Sequence, residues 1–474
     1  MPLIDSDSKK CDAQELNLFS IHPTDVSFPD SQRWHVENPV TSISSGGAID
    51  FIINSSPDVY LDLRNSYIDL EFSIKDETGQ ILQKTLPTDT SDNAAVATAL
   101  TSNKNCVVFP EQYFIGSAFK NVEVYLNDAL ISSSDNLYPY RAYIETLLSY
   151  NKNVKDEQMK MSGWYEDTGD DIEWKDADIL AKEVTTGVKN TGAYYRFQIT
   201  KYSKKVQMIG KIHSDLFNQY KYLPGKNQLR LKFIRHNPEF CLRSGMDGKK
   251  FTFNIDKMSL NIKKCEISPH IRELHERQLL ADNTETLKYS FPHVQMKFFM
   301  HPASERHIAE PNLCNGLLPN KVIIGMVSSN AFNGDFDKNP FNFRHFGATS
   351  VILRKNGVPA PFEELTLDYP NGQYLQGYLS LILGTGRLYD NDSFGISPSS
   401  YKNGKCLYMF DLSNTSTKDC MSLQQTGKLQ LNIRLDENIS EGVTVICYLQ
   451  YDSVLHINHE LGVSLSNRNG VSEI

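Results

Sequence analysis

The sequence predicts an all-β chain in which one antiparallel sandwich domain occurs twice, with short helices inserted and long loops on the surface. Three observations carry that expectation. Apolar and polar residues alternate with period two in segment after segment, helical spacing is rare, and an ordered set of strand, turn and helix signals in the first half returns in the second. At 474 residues the chain also exceeds what one hydrophobic core organises.

In chain order, residues 1–40 read as an N-terminal arm and 41–267 as the first sandwich. Within it, "YIDLEFSI" sets Ile68, Leu70, Phe72 and Ile74 against Asp69, Glu71 and Ser73, the pattern of a strand with one buried face. Residues 76–104 are polar, rich in Ala, Thr and Ser and almost unpatterned; residues 155–182 contain "EDTGDDIEWKDAD". Both read as surface insertions rather than core. Between them, Tyr140, Tyr143, Ile144, Leu147 and Leu148 fall at helical spacing and predict an amphipathic helix. "SPHIRELHERQLLAD" predicts a linker helix over 268–284, with Ser268 as cap and Pro269 in the first turn.

The second sandwich is expected over 285–460, followed by a polar tail at 461–474. Its helix is signalled by Leu375, Tyr378, Leu379, Ile382 and Leu383, with Gly384 as the stop. Its clearest strand is "KLQLNIRL", where Leu429, Leu431, Ile433 and Leu435 alternate with polar residues.

The repeat can be aligned. "FKNVEVYLND" begins at Phe119 and "FGATSVILRKNG" at Phe346, an offset of 227 that matches Val124 with Val351 and Leu126 with Leu353. Each strand runs into a hairpin signal, Asn127-Asp128 and Asn356-Gly357. The helices align at an offset of 231, Tyr143 with Tyr374 and Leu148 with Leu379, and "GKNQLRLKF" later parallels "GKLQLNI".

Composition excludes several functions. A net charge of −9 argues against coating nucleic acid wholesale. The first residues are acidic where a secretory signal starts basic, and the apolar runs are strand-sized, so a soluble, cytosol-made chain with no membrane span is expected. The eight cysteines contain no CxxC pair and read as buried free thiols. No HxH, HExxH, GxSxG or GxxxxGK[ST] pattern occurs, so neither a catalytic site nor a cofactor nor a metal is expected. His301 and His307, in "HPASERH", read as solvated loop residues.

At "LLPNKVIIGMV", "FNGDFDKNPFNFRHF" and "VILRKNGVPAP" the sequence resembles the major capsid proteins of Polinton/Maverick elements and the related adintoviruses. "FPEQYFIGSAFKNVEVYLND" and "YLPGKNQLRLKFIRHNPEFCL" fit the same family, and the resemblance covers most of residues 20–460. It implies a double jelly roll, two eight-stranded antiparallel sandwiches in one chain. It further implies a homotrimer that tiles a virion shell as a pseudo-hexagonal, hexon-like capsomer, beside neighbouring capsomers and a single jelly-roll penton or minor capsid protein. Such a chain would be made in the host cytoplasm, with the nucleus as a second site of assembly.

Two residue groups stand out. Phe341, Phe343 and Phe346 form an aromatic cluster that fills a corner of the second sandwich or lies under a neighbouring subunit. Lys201, Lys204, Lys205, Lys211, Arg230 and Lys232 lie in a stretch where Asp215 is the one acid, either as outward strand residues or as a patch touching packaged double-stranded DNA weakly. The rival function is carbohydrate binding or hydrolysis by a tandem β-sandwich. With three Trp in the chain, two of them (Trp164 and Trp174) in the acidic insertion, an aromatic glycan groove is poorly supplied.

Overall fold

A strand that buries one face needs every second side chain apolar, and the structure builds its cores from those rows. Ile68, Leu70, Phe72 and Ile74 are each at most 1% exposed, and Leu429, Leu431 and Ile433 are fully buried. The structure is a computed structural model and describes residues 7–466 except 10–12, 17, 20, 22, 29–31, 44–45, 88, 169–170, 183, 282–284 and 415–419.

The chain is a double jelly roll. The first roll is formed by β1 (Arg33–Glu37), β2 (Ile49–Ile53), β3 (Val59–Asp76), β4 (Phe119–Leu126), β5 (Ala129–Ser132), β6 (Val206–Lys211), β7 (Leu229–Arg235) and β8 (Phe251–Glu266). The second is formed by β9 (Leu287–His301), β10 (His307–Leu317), β11 (Lys321–Ser328), β12 (Ala348–Lys355), β13 (Val358–Pro359), β14 (Leu407–Asp411), β15 (Thr426–Leu435) and β16 (Val443–Ile457). The sheets run β1-β8-β3-β6 and β2-β7-β4-β5 in one roll, and β9-β16-β11-β14 and β10-β15-β12-β13 in the other. Strand for strand the connectivity is the same, and every pairing is antiparallel.

The repeat extends to irregularities, and these correct the alignment read from sequence. A bulge lies between Phe119 and Asn121 in β4 and between Ala348 and Ser350 in β12. Asn127 and Asn356, both in the left-handed region (φ 49° and 52°), open the next turn. Each donates its backbone amide to a carbonyl, that of Gln228 just before β7 or of Lys428 in β15, and accepts the same residue's amide on its side-chain oxygen at 2.9 and 2.8 Å. All of these match at an offset of 229, not 227. A slip of two residues keeps every side chain on its face, so alternation could not expose it.

Among the described residues five helices have ten or more residues: α1 (Asn93–Lys104), α2 (Tyr138–Ser149), α3 (Thr191–Thr200), α4 (Pro269–Ala281) and α5 (Leu375–Thr385). The helices α2 and α5 follow β5 and β13 as expected, but both start one residue after their non-helical Leu137 and Tyr374, so the offset of 231 does not hold. The stop of α5 is Gly386 at φ 69°, whereas Gly384 is interior, where an added Cβ would strike Met409.

Both proposed insertions carry structure. The 76–104 segment ends in α1, capped by the Asp92 carboxylate on the amides of Ala94 and Ala95. The acidic 155–182 segment is packed: Trp164 is 1% and Trp174 5% exposed, and Trp174 and Leu180 join Val107, Phe109 and Phe197 in a core of their own. At the ends, β1 lies inside the segment read as an arm, and Val463–Leu465 pairs with β16 inside the segment read as a tail. Edge strands that leave their side chains exposed give no alternation to read. Residues 467–474 lie outside the described residues.

Candidate assembly interface

The buried seam between the rolls has an aromatic half and an ionic half. Helix α2 presents Tyr140 and Tyr143, both at helical spacing and 2% exposed, to the second roll. Tyr143 stacks on Phe341 at 4.6 Å with an interplanar angle of 7°, and on its other side lies Trp164 at 5.3 Å. Tyr140 meets Phe332 and Phe341 at 5.8 and 5.7 Å, and Phe240 closes on Phe341 edge-on. Offset and edge-on pairs of this kind contribute beyond their buried area.

The expected phenylalanine cluster therefore divides. Phe341 points across the seam to the first roll, and Phe343, its ring beside Gly325 of its own roll, also meets Tyr140 and Tyr143 of α2 at 6.2 and 5.9 Å. Phe346, at φ 46°, is half-buried under the Arg344 guanidinium, 4.5 Å from the ring.

The ionic half centres on Asp215, 0% exposed, in the connection from β6 to β7. Its carboxylate accepts from Arg141 of α2 at 2.6 Å, from His293 Nδ1 of β9 at 2.6 Å and from the Val294 amide at 3.3 Å. Arg141 also donates to Glu145 at 2.8 Å; Glu145 holds His213 at 2.7 Å, whose far nitrogen meets the Tyr113 hydroxyl at 2.6 Å. Burial is the largest single influence and would raise both carboxyls, but the Arg141 charge together with the hydrogen bonds and charges of His293 and His213 holds Asp215 and Glu145 below the ordinary carboxylate range. Burial also lowers His213, against the pull of Glu145.

The acids of 155–182, read from sequence as solvated, form a third tie. Asp167 accepts from Arg196 at 2.7 Å and from Asn339 of the second roll at 3.0 Å. Glu173 accepts from the Asn339 amide and the Asn342 side chain, both at 2.7 Å, and Glu166 pairs with Lys405. Sequence reasoning missed Asp215, Asp167 and Glu173, whose partners are far along the chain; acidity alone marks a solvated loop as readily as a buried tie.

The basic stretch is spread over both sheets of the first roll. Lys201, Lys204, Lys205 and Lys211 lie in or before β6, with Lys205 at 3.6 Å from Glu71 and Lys211 donating to Asn218 at 2.5 Å. Arg230 and Lys232 lie on β7 in the opposite sheet, paired with Asp50 at 3.2 Å and Glu123 at 3.4 Å. His301, expected to be solvated, is clasped by Glu305 and Glu310 at 3.0 and 2.9 Å, whereas His307 is exposed.

Among the described residues no group of His, Cys, Asp and Glu is placed to hold a metal ion, and no helix is long and apolar enough to cross a membrane. Of the seven described cysteines five are buried, Cys106 is intermediate and Cys420 is exposed. With Trp164 and Trp174 buried, Trp34 is left as the exposed indole.

Among the described residues apolar side chains stand exposed at several places, Phe298 and Met300 on β9 and Leu274 and Leu280 on α4 included. Trp34 and Val36 project from β1; Leu375, Leu379 and Leu383 line the outer side of α5; Met421 and Leu423 stand out from the connection between β14 and β15.

No family model matches the sequence. An uncharacterized Caenorhabditis elegans protein is 22% identical over 437 residues, 90% of this chain and 95% of that one. Three solved structures share the fold from end to end. They are the Sputnik virophage (TM-score 0.58, 11% identity, 99% of this chain and 98% of that one), the PBCV-1 virus capsid (0.53, 11%, 95% and 100%) and the Faustovirus major capsid protein (0.52, 9%, 93% and 92%). At such identities the likeness establishes the fold, both rolls and their order.

Proposed function

We propose that this chain is the major capsid protein of a Polinton/Maverick-type, adintovirus-like double-stranded DNA element, and that it works by self-association, not by chemistry. The observation that carries the proposal is the pair of rolls with the same strand order, the same bulge and the same turn, locked side by side by a buried seam. Three such chains in a ring supply six similar side faces, which fit a hexagonal lattice without six separate chains. Solved structures whose titles name a virophage, a virus capsid and a major capsid protein are similar along the whole chain, which supports the same use.

The narrower assignment rests on the blocks around 317–361, one of which, 332–346, supplies the rings packed on α2. A full-length relative in an animal supports an element carried in animal genomes. The partners on this proposal are two further copies, neighbouring capsomers and a single jelly-roll penton or minor protein, in a virion made in the host cytoplasm and assembled there or in the nucleus. Packaged DNA is touched weakly at most, since the cations of 201–232 divide between two sheets and several already face carboxylates.

Light scattering and electron microscopy of the purified protein test this. A mass three times 53.8 kDa and six-lobed discs are expected. A strictly monomeric species at micromolar concentration counts against the proposal.

A further inference from the structure

Inside one chain, the seam has a donor side and a receiving side. The first roll donates its helix after the fifth strand, α2, and its connection from the sixth to the seventh strand, residues 212–228. The second roll receives the helix on Phe332, Phe341 and Phe343, and the connection on its first strand, β9, an edge strand. Asp215 reaches His293 and the Val294 amide there, Lys221 donates to the Lys288 carbonyl at 2.8 Å, and the Tyr289 hydroxyl donates to the Tyr222 carbonyl at 3.1 Å.

The repeat supplies each of these parts a second time, and among the described residues none of the second set is engaged by the other roll. The second roll has its own helix after the fifth strand, α5, and its own connection from the sixth to the seventh, 412–425. The first roll has its own first strand, β1, an edge strand paired with the last strand as β9 is. All three are where apolar side chains stand in solvent. Leu375, Leu379 and Leu383 are 58, 41 and 38% exposed on α5; Met421 and Leu423 are 58 and 80% exposed; Trp34 and Val36, two apart and so on one face of β1, are 52 and 60% exposed. Next to Met421 and Leu423 the backbone is anchored, for the Ser422 amide donates to Asp452 at 2.8 Å.

We infer that the Met421–Leu423 segment of one copy seats on the β1 edge of the next copy, with α5 beside it on the same roll. This is the seam within the chain made a second time, in the same direction, between chains. The inference rests on the capsomer proposal and gives it a direction: the contact is head-to-tail, with different faces on its two sides, and closes after three chains because each chain already contains one such seam. An isologous dimer through β1 alone would leave α5 and Leu423 uncovered.

The tryptophans give the test. Trp164 and Trp174 are 1 and 5% exposed, so Trp34 is the indole that iodide can reach. In the wild-type trimer Trp34 is covered and iodide quenches almost no emission. In Leu423→Asp and in Leu379→Asp the mass falls to that of one chain and a quenchable share appears, about one of the three tryptophans; Trp34→Phe in the same background removes it. Leu423 is largely exposed in the single chain, so unchanged far-ultraviolet dichroism is expected of its variant. Leu280→Asp, an equally exposed leucine at 69% on α4, leaves the trimer intact. A trimer whose Trp34 stays quenchable, or one that survives both Leu379→Asp and Leu423→Asp, overturns the contact while leaving the capsomer proposal standing. A monomeric wild type overturns both.

Discussion

Replacing Asp215 by alanine should uncouple the two rolls. The substitution removes an acceptor for Arg141 and His293, each at 2.6 Å, and for the Val294 amide at 3.3 Å. Arg141 and Asp215 are both 0% exposed, so the small value of a surface pair does not apply. Removing one partner of a buried pair strands the other charge and costs about 3–5 kcal/mol. Arg141 keeps Glu145 at 2.8 Å, which places the expected loss toward the lower end, about 3 kcal/mol. Because two of the three partners belong to the second roll, the loss should fall on the joint rather than on either core. The assay uses the placement of the tryptophans: all three precede residue 268, so fluorescence follows the first roll while far-ultraviolet dichroism follows both. In urea, at one fixed protein concentration because association shifts apparent stability, the wild type should give coincident transitions and Asp215→Ala separated ones. A loss below about 1 kcal/mol with coincident transitions would refute the assignment of Asp215 as the bridging carboxylate.

Other outcomes follow from the same geometry. Phe341→Ala should cost about 3–5 kcal/mol in denaturant titrations, because the ring is 2% exposed and packed against Tyr143, Tyr140 and Phe240, while Phe346→Ala at its half-buried position should cost under about 1 kcal/mol. Stability should fall on acidification from below pH 7. Burial, helped by Lys120, pushes His236 down to about 3 from its ordinary 6.5, so the unfolded chain takes up the proton first, and between those values about 3 kcal/mol is lost by pH 4. His236→Phe should flatten that part of the curve. A further decline below about pH 4 should follow as Asp215 and Asp167, whose carboxyls are held low in the fold, are protonated. Finally, Asn356→Ala should cost about 1–2 kcal/mol, since it loses a left-handed turn residue and one side-chain hydrogen bond, and Asn127→Ala should cost more, since its side chain also donates to Asn227 at 2.8 Å and to the Leu461 carbonyl at 2.9 Å; equal losses in denaturant titrations would refute the weight given to those two bonds.

Much of the fold was legible in the sequence where burial is one-sided. Ile68 to Ile74 and Leu429 to Leu435 alternate because one face of each strand meets a core, and Tyr140, Tyr143 and Leu147 recur at helical spacing because α2 is buried along that stripe. Where burial does not discriminate, the sequence was silent. Strand β1 is held through its backbone to β8 and leaves Trp34 and Val36 in solvent, so it looked like an arm. The buried acids of 155–182 looked solvated because their neutralising partners, Arg196, Arg243 and Lys405, are remote in sequence. The aromatic half of the candidate interface was visible as a cluster, since three phenylalanines so close together have to be buried somewhere. That Phe341 and Phe343 meet the α2 tyrosines while Phe346 lies under Arg344 could not be read, because all three are simply apolar positions a few residues apart.

The extra residue that kinks β4 and its twin in β12 sits at the same step of the ladder. Both halves thus bend their outer sheet at one height and offer a neighbour the same curvature. Deleting that residue from a single half should leave two well-folded barrels that no longer imitate each other; in the proposed capsomer, a ring of three such chains would then present two alternating kinds of face.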